Sequence, residues 1–121
     1  MLRSAGYKII THFERYGNVE GIPDQTIISD CGKYKNVLLT ADADLETTWA
    51  TEIETAKISV VILTNNSDGA NKWGPRLATG RQNIVDMLRK HRKPCSLIFG
   101  RNSKVGKARL YGKRRAKVIP L

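Results

Sequence analysis

The chain has 121 residues, 40% hydrophobic and 26% charged, with a net charge of +10. That balance describes one globular domain and excludes a disordered chain, and no apolar run reaches the roughly 18 residues of a membrane helix. Two cysteines allow one disulfide at most, and without a CxxC or a Cys/His cluster the sequence gives no support for a structural zinc site.

In chain order, residues 1–5 read as the last turn of a helix stopped by Gly6, and Tyr7–Thr11 as a short strand. Residues 14–23 read as a loop. "DQTIISDCGKY" predicts a helix, with Asp24 at its start, Ile27, Ile28 and Cys31 on one face, and Gly32 as the C-cap. "NVLLT" (36–40) predicts a continuously apolar strand buried in a parallel sheet. Residues 45–57 read as helix or irregular chain, and "ISVVIL" (58–63) as a second buried strand.

Residues 64–76 read as a loop. A helix is predicted over 79–94, opened by a Thr79–Gln82 capping box, ended by Pro94 and striped by Ile84, Met87, Leu88 and His91. "CSLIFG" (95–100) and "ARLYG" (108–112) predict a hairpin, followed by a basic tail. The alternation of short helices and apolar strands predicts a single α/β domain with a mostly parallel central sheet. Cys31 and Cys95 are expected as free buried thiols of a cytoplasmic protein, and no signal-peptide pattern opens the chain.

Charge divides the chain. Residues 1–68 hold ten acids against six Lys/Arg, a balance of −4, whereas residues 69–121 hold Asp86 alone against fifteen, a balance of +14. An acidic site beside a polyanion-binding surface fits this asymmetry; a solvated basic face, or a tail for an acidic protein, is the plainer alternative. A helix that precedes a parallel strand runs antiparallel to it. The start of the predicted helix and the end of "VLLT" therefore share one sheet edge, where ligands of α/β folds bind.

That places Asp24 beside Asp42 and Asp44. Carboxylates gathered in this way repel, and a divalent Mg²⁺ or Mn²⁺ ion relieves the repulsion. Taken singly, Asp24 is explained as a helix cap, and Asp42 and Asp44 as turn residues. Phosphate contacts are expected from Arg81, Arg89, Arg92 and Lys93, and from Arg101, Lys104, Lys107, Lys113, Arg114, Arg115 and Lys117. Trp49, Trp73 and Tyr111 are candidates to stack on bases, with core packing the simpler role. His12 and His91 read as structural.

The stretch "LRSAGYKIITHFERYGNVEGIPDQTIISDCGKYKNVLLTADADLE" resembles the front half of bacterial PIN-like domains, which include the toxins of toxin–antitoxin pairs. "RKHRKPCSLIFGRNSKVGK" is weakly similar to the C-terminal end of such relatives. The resemblance implies a three-layer fold and a metal-dependent ribonuclease that uses Mg²⁺ or Mn²⁺, with RNA as substrate, an antitoxin as partner and a homodimer as assembly. Asp24 matches the acid that opens the family's helix, Asp42 the first acid after the strand threonine Thr40, and Asp44 the second. Glu14 falls where some relatives carry a catalytic glutamate. Leu45 stands where Phe is usual.

The family's opening strand, which bears an Asp, has no counterpart before Leu2. A late start site, a truncated chain or a lost strand would each account for this. The sheet is then expected to show an open central place, filled by another segment, a second chain or a changed topology. Loss of that acid keeps two alternatives alive: an inactive PIN-like nucleic-acid-binding module and a protein-interaction module.

Overall fold

The computed structural model of the chain describes residues 15–17, 19, 21–63, 70–100, 103–111 and 117–120, and of residues 70–73, 110 and 117–120 the backbone alone. The predicted strand at Tyr7–Thr11 lies outside these residues. The elements are α1 (Asp24–Tyr34), β1 (Leu38–Thr40), α2 (Leu45–Thr48), α3 (Ala50–Ala56), β2 (Ser59–Leu63), α4 (Ala70–Lys90), β3 (Cys95–Phe99), β4 (Val105–Leu110) and β5 (Lys117–Pro120).

The five strands form one sheet in the order β1-β2-β3-β4-β5. The pairs β1–β2 and β2–β3 are parallel, and β3–β4 and β4–β5 antiparallel. The α/β class is as expected, but the sheet is mixed rather than mostly parallel, because the basic tail adds β5 beyond the predicted hairpin. The ladder among the described strands is continuous, without the open central place that a missing strand would leave.

β1 differs from its prediction. It is an edge strand of the described sheet, so Leu39 remains 38% exposed instead of buried on both faces. β2, in the interior of the sheet, is buried along its whole length. Strand alternation sends these apolar residues to two faces. Val61, Leu63, Cys95, Leu97 and Phe99 meet Leu77 and Ile84 of α4 on the first face. Ile58, Val60 and Ile62 meet Ile28 and Cys31 of α1, Leu45 of α2 and Ile53 of α3 on the second. Both cysteines are free and buried, one in each cluster.

Two sequence expectations give way to packing, and a third is refined. Gly32 lies inside α1, which is instead closed by Lys35 in the left-handed region at φ 57°. A Cβ on Gly32 would lie 2.9 Å from the Ala56 carbonyl oxygen, so this glycine is what lets α1 and α3 approach. Second, α4 begins at Ala70, not Thr79, and carries Pro75 within it. The longer helix keeps Leu77 on the buried stripe two turns before Ile84. Thr79 and Gln82 are therefore mid-helix, and Gln82 Nε2 donates to Asp86 Oδ1 at 2.8 Å. Third, residues 45–57 are two helices broken at Trp49.

The Arg15–Tyr16 turn docks on α1. Arg15 donates to Asn36 Oδ1 and stacks on the Tyr34 ring 4.7 Å from its centroid. The Tyr16 hydroxyl donates to Asp30 Oδ2 at 2.6 Å. Burial and that bond push the Tyr16 phenol up to about 12.

Candidate functional site

The carboxyl edge of β1 is organised by its own backbone. Thr40 Oγ1 accepts the Asp42 N–H at 3.1 Å, and Asp42 Oδ1 accepts the Asp44 N–H at 3.0 Å. This is an Asx turn, and it leads directly into α2. The Asp44 carbonyl accepts the Thr48 N–H at 2.9 Å and the Thr47 hydroxyl at 3.0 Å. Asp42 and Asp44 are both exposed. The turn reading thus holds for Asp42, whose Oδ2 makes no hydrogen bond with a described residue, whereas Asp44 joins the turn through its backbone alone.

Asp24 is the first residue of α1, and Pro23, not Asp24, holds the cap position. Its carboxylate is used elsewhere: Trp49 Nε1 donates to Asp24 Oδ2 at 3.2 Å. Trp49 sits at the corner between α2 and α3, packed against the second-face cluster. The indole therefore ties the start of α1 to the segment that leaves the Asp42–Asp44 turn. α1 and β1 are joined by three residues, so the chain reverses and both acidic positions belong to one sheet edge.

Among the described residues, no three His, Cys, Asp or Glu side chains form a group that could hold a metal ion. Asp24, Asp42 and Asp44 share an edge without closing into such a group, and Glu14 lies outside the described residues. A divalent ion of the Mg²⁺ type needs only one or two carboxylates when waters and substrate phosphates complete its shell. Asp24 and Asp42 meet that requirement, each keeping one oxygen uncommitted among the described residues.

Of the predicted phosphate ligands, Arg89, Arg92 and Lys93 are exposed at and beyond the end of α4, Lys104 and Lys107 are exposed around β4, and Arg81 is half-buried. Arg101, Lys113, Arg114 and Arg115 lie outside the described residues. Tyr111 is not a free stacking platform. Its hydroxyl shares a 2.7 Å hydrogen bond with Ser96 Oγ and donates to the Glu46 carbonyl at 3.3 Å. Trp49 is likewise committed to packing and to Asp24.

Two charged residues escaped the sequence reading. Arg109 Nε stands 3.2 Å from Glu46 Oε2, an ion pair with 23% and 14% of the side chains exposed. Neither atom completes a hydrogen bond at this orientation. Burial pushes the Glu46 carboxyl up, while Arg109 and then Lys107 pull it down. Burial also raises the Cys31 and Cys95 thiols, which makes both poor nucleophiles. No helix among the described residues is long and apolar enough to cross a membrane. The chain matches no protein-family model, no curated protein and no solved structure.

Proposed function

We propose that the chain is a PIN-like, metal-dependent ribonuclease domain working at the carboxyl edge of β1. What supports this reading is the edge shared by Asp24 and Asp42, tied together through the Trp49–Asp24 hydrogen bond. Asp24 and Asp42 would hold Mg²⁺ or Mn²⁺. When bound, the ion supplies an activated water and neutralises charge on the phosphate. Trp49 holds the Asp24 carboxylate and the Asx turn holds Asp42; Asp44 or Glu14 would orient the attacking water. The exposed cations of the C-terminal half would hold the RNA backbone. An antitoxin and a second copy of the chain are the partners this reading expects.

The second reading is a PIN-like module that binds nucleic acid without cutting it. It is favoured by the commitment of Asp42 Oδ1 to the turn and by the absence of a three-acid group among the described residues.

One assay separates the two. Single-stranded RNA is incubated with the chain in Mn²⁺, Mg²⁺ or EDTA, beside Asp42→Asn. The variant retains an oxygen for the Asx turn, so its stability should stay within about 0.5 kcal/mol of the parent. Cleavage that needs metal and disappears in Asp42→Asn is the expected result. Equal cutting by both proteins, or none by either, removes the ribonuclease.

A further inference from the structure

The second face of the sheet carries a cationic pair that the edge of β1 does not use. The β3–β4 register pairs Ile98 with Lys107 and Phe99 with Val105, leaving Gly106 as an extra residue. This bulge changes the face to which the following residues belong. Val105 and Ala108 enter the first-face cluster, whereas Lys107 and Arg109 stand opposite Ile98 and Ser96 on the second. Lys107 is exposed and makes no hydrogen bond or ion pair with a described residue. Arg109 turns Nε to Glu46, and no described residue engages its Nη fork.

The base of this patch is fixed by the Ser96–Tyr111–Glu46 hydrogen bonds. Two cations thus face one carboxylate. The one acid of residues 69–121, Asp86, lies on α4, across the sheet.

We propose that Lys107 and Arg109 form a phosphate-binding pair for the backbone of single-stranded RNA, with Glu46 as the residue that positions the Arg109 guanidinium. This rests on the nucleic-acid reading above and not on hydrolysis. A phosphate takes two parallel hydrogen bonds from a guanidinium fork and a point charge from lysine. β4 is three strands from β1, about 14 Å across the sheet. A single strand seated on the pair therefore reaches the carboxyl edge through ordinary backbone flexibility, along the side of α2.

The test is anisotropy of a short fluorescein-labelled RNA of mixed sequence, in EDTA, over a range of KCl concentrations. Each single-strand phosphate contact contributes a salt slope of about 0.7, equivalent to roughly fivefold in affinity near 0.1 M salt. Lys107→Gln should weaken binding about fivefold and flatten the slope by about 0.7. Lys33→Gln, an exposed lysine of α1, should change affinity by less than about twofold. Glu46→Gln retains an oxygen for Arg109 Nε and removes the opposing charge, so it should tighten binding. A purely structural Glu46 would lower stability and leave affinity unmoved.

The pair is overturned if Lys107→Gln behaves like Lys33→Gln, or if Glu46→Gln does not tighten binding. If the parent chain binds no RNA, the pair and the nucleic-acid reading fall together. If the predicted pattern appears while Mn²⁺ supports no cleavage, the pair stands and only hydrolysis fails.

Discussion

The two faces of the sheet follow different plans. The first is covered by a single helix of 21 residues over a cluster that is apolar apart from Ser59, whose Oγ takes a long 3.5 Å contact from Cys95 Sγ. The second is covered in pieces, by helices of 11, 4 and 7 residues, and mixes its apolar cluster with Ser96, Tyr111, Glu46 and Arg109. The first face resembles a stability core. The second pays for polar groups at its margin, and every candidate site residue on α1, β1, α2 and β4 belongs to its side or its edge.

The crossovers sharpen the contrast. β1-to-β2 and β2-to-β3 step the same way across the sheet but lie on opposite faces, so they have opposite hands. One of them departs from the right-handed rule that parallel connections almost always obey.

This contrast can be broken by substitution. The largest effect is expected at Leu97, fully buried on the first face. Leu97→Ala should cost about 3 kcal/mol in urea unfolding, and Leu39→Ala on exposed β1 less than about 0.5. Equal losses would mean that β1 is not the edge described.

Gly80 comes next. A Cβ there would lie 2.5 Å from the Phe99 ring and also against the Ser103 carbonyl. Helix propensity alone would make Gly80→Ala stabilising by about 1 kcal/mol. Overpacking should reverse the sign, to a loss of about 2 kcal/mol. A gain in the urea midpoint would show that α4 does not press on β3 as described.

On the second face, Trp49→Phe keeps the ring and removes the donor to Asp24. It should cost about 1.5 kcal/mol, and an Asp24→Ala background should abolish most of that cost in a double-mutant cycle.

The smallest effect concerns pH. The Tyr16 phenol is raised from 10.0 to about 12 in the folded chain. Its contribution is therefore present below pH 10 and lost as pH rises towards 12. Tyr16→Phe should lower the urea midpoint slightly at neutral pH and flatten its fall between pH 10 and 12. An unchanged fall would show that the Tyr16 phenol is not raised in the folded chain.

Legibility in the sequence followed the range of the interaction. The existence and start of α1 are legible because Ile28 and Cys31 carry the 3.6 period, but its end is not, since Gly32 reads as a cap until Ala56 is seen to pack against it. β2 and β3 were legible as continuous apolar runs. The start of α4 was not, since Gly74 and Pro75 read as loop until Leu77 is seen to need the same helix face as Ile84. Asp24 was placed at the correct edge by topology, but its partner Trp49 is 25 positions away and no local pattern pairs them. Arg109 was missed for a related reason. The predicted strand starts at Ala108, and the face of Arg109 is set by its pairing with Ser96 across a bulge that no local pattern shows.

The sequence by itself determined the α/β class, the main helical and strand segments, the two buried thiols and the division between an acidic and a basic half. Those features rest on composition and on periods of two and 3.6, which are local. Tertiary structure alone decided the mixed sheet, the edge position of β1, the tie between Asp24 and Trp49, and the face that receives Lys107 and Arg109. Each depends on which distant backbone fills the neighbouring place, and a single residue of register exchanges the buried and exposed sides of a strand.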